Sequence, residues 1–102
     1  MYGIEQDEMQ LMQDIFSSVD KLEQVVLYGS RAKGTNKPFS DVDITLKGDC
    51  LSEDDLSEIC LKLSESSLPY FFDVSIFNNL SSNSLIDHIK RRGKIIYNKT
   101  SH

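Results

Sequence analysis

Tryptophan is absent from this chain, cysteine and proline occur twice each, and no apolar run is long enough to span a bilayer. Each shortage excludes something. Cys50 and Cys60 have neither a zinc-ligand spacing nor a disulfide framework around them, so they read as two free thiols in a reducing compartment. Cys60 falls on the apolar stripe of a helix and is expected to pack there. The N-terminus MYGIEQDEMQ lacks the basic-then-apolar order of a secretory signal, which makes the cytoplasm the expected location. Bases are the minority charge, 11 Lys and Arg against 16 Asp and Glu, and the net charge of −5 argues against general nucleic-acid binding. The bases that exist gather at the end. Lys90, Arg91, Arg92, Lys94 and Lys99 follow one another with no acid between them, either as a solvated tail favouring a helix C-terminus or as a phosphate or partner contact.

What remains is the composition of a soluble globular protein, 39% apolar and 26% charged over 102 residues, enough for one hydrophobic core and hence a single domain over residues 1–102. Met9, Met12, Ile15 and Phe16 share one face of a predicted helix over residues 5 to 18. Val25-Val26-Leu27-Tyr28 is a short apolar run that stops at Gly29, as a buried strand would. Gly34 to Pro38 is loop chemistry. Asp41 to Lys47 and Phe72 to Phe77 alternate and read as strands. Between them Ser52 and Asp55 form a capping-box pattern ahead of Leu56, Ile59, Cys60 and Leu63 at helical spacing. A last helix spans about residues 82 to 91 with Leu85, Ile86 and Ile89, Gly93 ends it in the usual way, and Ile95-Ile96-Tyr97 can add a terminal strand. This interleaving predicts an α/β (α+β) fold: one small mixed sheet, helices packed on one face and the other face open.

The strand patterns say what the open face carries. Val42, Ile44 and Leu46 share one side of their strand, while Asp41, Asp43 and Thr45 share the other. Phe72, Val74 and Ile76 likewise oppose Asp73, Ser75 and Phe77. With the apolar sets turned to the helices, all three aspartates face outward together. Residues two apart on a strand are about 6–7 Å apart, and a neighbouring strand brings Asp73 to about 5 Å. Three close anions repel one another, and a divalent cation is the simplest remedy; oxygen-only ligands suit Mg²⁺. Asp-x-Asp alone also fits an exposed strand end.

Gly29 closes an apolar strand, and Ser30-Arg31-Ala32-Lys33 can open a short helix whose N–H groups and positive dipole face an anion. Ser30 adds a hydroxyl, Arg31 and Lys33 add charge, and the set suits nucleotide phosphates. It is not a Walker A loop, because Thr35-Asn36 stand where Lys-Ser/Thr is required. An ordinary strand–helix connection is the other reading. His88 among Leu85, Ile86 and Ile89 needs no catalytic role, and Phe39 and Tyr70-Phe71 read as packing residues with base stacking as the alternative.

Gly29-Ser30, ten intervening residues, Asp41-Val42-Asp43 and then Asp73 in an apolar strand resemble the minimal nucleotidyltransferases (MNT) of the DNA polymerase β superfamily. The resemblance runs from the strand before Gly29 to the C-terminal helix, with no departure at a motif position. It implies a two-metal nucleotidyl transfer. Gly29 and Ser30 would hold the triphosphate of ATP with help from Arg31 or Lys33. Asp41 and Asp43 would bind two Mg²⁺ ions, and Asp73 would bind the ion nearer the acceptor and help activate the acceptor hydroxyl. Two such cations, about 3.5–4 Å apart, stabilise the attacking and leaving oxygens of an in-line displacement. The resemblance further implies a HEPN-domain toxin as partner, with AMP transferred to one of its tyrosines by this chain as antitoxin. Two alternatives stand beside it: a non-catalytic antitoxin that masks its partner, and a transferase acting on a small molecule of aminoglycoside type.

Overall fold

The computed structural model describes residues 4–29 and 41–99. Among these, three helices and four strands alternate as the sequence pattern predicts. Helix α1 (Gln6–Ser17) buries Met9, Met12, Ile15 and Phe16, the four positions of its predicted stripe. The Glu8 carboxylate accepts the Glu5 N–H at 3.0 Å and so satisfies a donor at the helix start. Strand β1 (Gln24–Tyr28) is followed by β2 (Val42–Lys47). Helix α2 (Glu53–Glu65) begins at the predicted capping box: Asp55 accepts the Ser52 N–H at 3.0 Å, and Ser52 Oγ accepts the Asp55 N–H at 3.4 Å. Its first turn carries Glu53, Asp54 and Asp55, the sign that a helix N-terminus favours. Strand β3 (Phe72–Ile76) ends in one 3₁₀ turn (Phe77–Asn79), and helix α3 (Asn83–Arg92), capped by Ser82, leads into β4 (Lys94–Asn98).

The strands lie in the order β3-β2-β1-β4, with β1 antiparallel to both β2 and β4 and β3 parallel to β2. The parallel pair is joined by α2, the crossover that such a pair requires. Period-two alternation then sorts the side chains. Val25 and Leu27 of β1 and Val42, Ile44 and Leu46 of β2 are fully buried against Met12 and Phe16 of α1 and Ile59 and Leu63 of α2. Each such side chain contributes about 1.5–3 kcal/mol of burial.

Helices α1 and α2 thus occupy one face, as expected. Helix α3 departs from the expectation that all helices share that face: it crosses to the other, where Ile89 packs on Val26 and Tyr28 with Phe77, Leu80 and Leu85 around them. Half of the second face is therefore covered, and the half bearing Asp43 and Asp73 stays accessible.

Three local expectations are corrected. Cys60 is exposed rather than packed, because Leu56, Ile59 and Leu63 take the inner face of α2 and the next position is rotated off it. Its thiol still lies along a groove lined by Leu63, Leu68 and Phe72, and this partial burial raises its pKa. Phe71 is 80% exposed, whereas Tyr70 does pack: its ring meets Phe72 edge-on and its hydroxyl donates to Glu8 at 2.6 Å. Gly93 ends α3 in an extended conformation (φ −65°), not in the left-handed one usual for glycine caps. Glycine is needed there for space, since a Cβ would strike the Ile89 carbonyl oxygen and Val26 Cγ1.

Candidate active site

Strand β1 ends in Tyr28 and turns at Gly29, whose φ of +79° lies in the region that favours glycine. The antiparallel register sets Tyr28 opposite Asp43, and the parallel register sets Asp43 opposite Asp73. Tyr28, Asp43 and Asp73 therefore form one row across three adjacent strands, about 5 Å apart at the backbone. The strand patterns put Asp43 and Asp73 on one face; the parallel register makes them neighbours. Asp73 is exposed and Asp43 half-buried, so both carboxylates are accessible from the same side. Asp41 stands immediately before β2, exposed, two residues from Asp43.

Gly29 adjoins this row. A Cβ built on it would lie 2.5 Å from Oδ2 of Asp43, closer than such atoms ever come. The turn and the carboxylate thus share one small volume, and a side chain at this left-handed position would push the carboxylate aside. Ser30, Arg31 and Lys33 lie outside the described residues, as does Phe39.

Beneath the carboxylates is a layer of hydroxyls that the sequence reading did not single out. Thr45, fully buried, and Ser75 stand opposite each other one step along β2 and β3 from Asp43 and Asp73. Ser75 Oγ donates to Thr45 Oγ1 at 3.1 Å, and Thr45 donates to the Ser75 carbonyl at 3.4 Å. The Tyr28 side chain comes over from β1 on the same face, near Ser75. Burial raises the pKa of Tyr28, the nearby Ser75 hydroxyl pulls the other way, and the charges of Asp73 and Asp43 add to the rise; the phenol stays protonated. On its far side the ring meets His88 of α3 edge-on at 6.5 Å. The run Val25–Tyr28 hid Tyr28 because an unbroken apolar stretch shows no inner and outer face; only the register with Asp43 reveals it.

Among the described residues no three His, Cys, Asp or Glu side chains converge into a ready-made metal cage. The strands supply a facing pair, Asp43 and Asp73, with Asp41 two residues along. Hard oxygen donors in that number fit a cation that leaves much of its coordination shell to water and phosphate.

The chain matches the family model described as "Polymerase beta, Nucleotidyltransferase" over residues 10–102. No curated protein matches it. Solved structures do. A chain from the crystal structure of a toxin–antitoxin with AMP-PNP is 24% identical, with 90% of this chain and 74% of that one covered and a TM-score of 0.72. A chain of the MntA-HepT toxin–antitoxin is 22% identical over 93% of this chain and 74% of that one, with a TM-score of 0.67. One from the tri-AMPylated Shewanella oneidensis HEPN toxin in complex with MNT antitoxin is 23% identical over 89% and 73%, with a TM-score of 0.61. At these identities the likeness is one of fold. The family match goes further, for it takes in Gly29, Asp41, Asp43 and Asp73 together with all four strands that position them: the chain belongs to the polymerase β nucleotidyltransferase family.

Proposed function

We propose that this protein is a cytoplasmic Mg²⁺-dependent nucleotidyltransferase that moves AMP from ATP onto a tyrosine of a HEPN-domain toxin, acting as the antitoxin of the pair. The observation that carries the reading is the register of Asp43 with Asp73 beside the bare backbone of Gly29. Asp41, Asp43 and Asp73 would hold two Mg²⁺ ions, which supply charge stabilisation to the attacking and leaving oxygens. Gly29 lets the triphosphate approach the main chain, and by resemblance Ser30, Arg31 and Lys33 hold it. Asp73, on the edge strand and exposed, is the carboxylate best placed to orient an incoming acceptor hydroxyl and receive its proton. The acceptor oxygen then bonds to the α-phosphorus, the bond to the β-phosphate oxygen breaks, and pyrophosphate leaves with the electron pair. The fold neighbours support a nucleotide and a HEPN acceptor: one was crystallised with AMP-PNP, and another is bound to a tri-AMPylated HEPN toxin.

The test is a transfer assay with the candidate HEPN protein, Mg²⁺, and ATP labelled at the α-phosphate or the base, with Asp43→Ala as control. Both labels should appear on the partner and vanish with the mutant, and mass spectrometry should place AMP on a tyrosine. A partner that stays unlabelled, yet is silenced equally by wild type and Asp43→Ala, would make this a masking antitoxin instead.

A further inference from the structure

We propose that the β3 edge of the sheet is the docking surface of the acceptor protein: Phe71 and the apolar groove between β3 and α2 seat a basic surface that brings its tyrosine to Asp73. The proposal rests on the nucleotidyltransferase reading and deepens it by locating the partner.

Phe71 is the anchor. It is 80% exposed, yet its backbone is fixed, because its carbonyl accepts the Val42 N–H at 2.8 Å. The parallel register pairs Phe72 with Val42, which places Phe71 beside Asp41 and two residues, about 6–7 Å, before Asp73. Phe71 also lines a groove of about 300 Å³ whose other walls are Cys60, Leu63, Leu68, Phe72 and Val74. Leu61, exposed on α2, borders this groove one turn before Ser64. The exposed large apolar side chains among the described residues are Leu61, Phe71 and Ile95, so two of the three gather here. An aromatic anchor set in apolar surface is the usual make-up of a protein–protein hot spot.

The direction of the reaction names the occupant. In an in-line displacement the attacking oxygen enters opposite the leaving pyrophosphate. Gly29, where the triphosphate approaches, ends β1, and β3 lies on the far side of β2 from it. The acceptor hydroxyl therefore arrives over β3, and a protein that carries it covers Phe71. Charge agrees. From Asp49 to Asp87 the chain carries eight acids and a single base, Lys62, which Glu58 already pairs at 3.0 Å. Lys90, Arg91, Arg92 and Lys94 belong to the last turn of α3 and to β4, the strand at the opposite edge. An apolar-tipped surface with basic residues around its tyrosine fits the β3 edge.

The test uses the full chain, Mg²⁺ with ATP, and the HEPN-domain protein of the transfer assay. Phe71→Ala and, separately, Leu61→Arg should weaken binding of that protein about tenfold or more in isothermal titration. Its KM in AMP transfer should rise to match, with KM for ATP and Tm unchanged. Added salt should weaken the wild-type complex. The bound partner should also slow alkylation of Cys60 in the groove while Cys50 labels as before. Partner affinity unchanged in both variants, or a Cys60 equally reactive in the complex, would overturn the proposal. A raised KM for ATP in Phe71→Ala would overturn it in favour of base stacking. A wild-type dimer that the variants dissociate, with partner affinity unchanged, would overturn it in favour of a second copy of this chain. If the wild-type complex forms but transfers no AMP, it is the nucleotidyltransferase reading that fails, while partner affinity and Cys60 protection still decide the docking surface.

Discussion

Gly29 and Asp43 occupy the same corner of the sheet so closely that a Cβ on the glycine would sit 2.5 Å from the carboxylate oxygen Oδ2. A left-handed turn and a carboxylate are thereby fused into one unit, and Gly29→Ala attacks both. The backbone at φ +79° costs about 1–2 kcal/mol for a residue with a side chain. The methyl group also displaces Asp43 by a fraction of its own radius. Urea melts should show the first effect, and AMP transfer lowered about a hundredfold should show the second, the scale expected when a reacting group is misplaced by about an ångström.

Asp73→Asn separates function from stability. The carboxylate faces Asp43 across a parallel ladder, and removing one of two opposed like charges stabilises the sheet by about 0.2–1 kcal/mol. Transfer should meanwhile drop by at least about 10²-fold, the usual cost of removing one electrostatic element from such a site. Scanning calorimetry beside the labelling assay checks both; a variant that loses activity together with Tm would assign Asp73 a structural role.

How much of this was legible beforehand follows from which interactions are local. Met9, Met12, Ile15 and Phe16 announce α1, and Ser52 with Asp55 announces the start of α2, because spacing and capping are properties of a few consecutive residues. The common face of Asp43 and Asp73 was readable too, since alternation fixes faces once apolar partners are buried. Tyr28 was not, because what sets it apart is a residue opposite it on another strand. The same holds for α3. Its stripe of Leu85 and Ile89 shows that it packs, while nothing in the stripe says against which face of the sheet.

Tyr28 makes stability depend on alkaline pH. Its folded pKa lies above the ordinary 10.0, chiefly through burial and further through Asp73 and Asp43, so the folded protein keeps a proton that the unfolded chain releases. The resulting stability is complete below pH 10.0 and is lost as pH rises through the folded value. Urea melts from about pH 9 upward should show a steeper decline for wild type than for Tyr28→Phe. Parallel slopes would mean that Tyr28 titrates as freely in the fold as outside it.

Cys60 is exposed along the chain yet has a thiol whose pKa is raised by burial against the groove of Leu63, Leu68 and Phe72. Thiolate is the reactive form. Alkylation at about pH 8 should therefore be slower at Cys60 than for free cysteine, with its rate still climbing above pH 9.0. Peptide mass mapping of iodoacetamide adducts over time reads this directly. A Cys60 that labels as fast as the free amino acid would show that the groove does not shield the sulfur.

Gly93→Ala provides the counterpart to Gly29→Ala, because the two glycines are required for different reasons. At Gly93 the backbone is ordinary (φ −65°) and an alanine fits its torsions. The obstruction is steric: the new methyl meets the Ile89 carbonyl oxygen and Val26 Cγ1, where α3 is pressed onto the sheet. Overpacking of this kind costs about 1–3 kcal/mol. The cost should also reach the site, since Val26 and Ile89 pack with Tyr28, which stands opposite Asp43. Gly93→Ala is expected to lower Tm and to reduce transfer. A fall in Tm with transfer unchanged would show that the packing of α3 does not reach the carboxylate row.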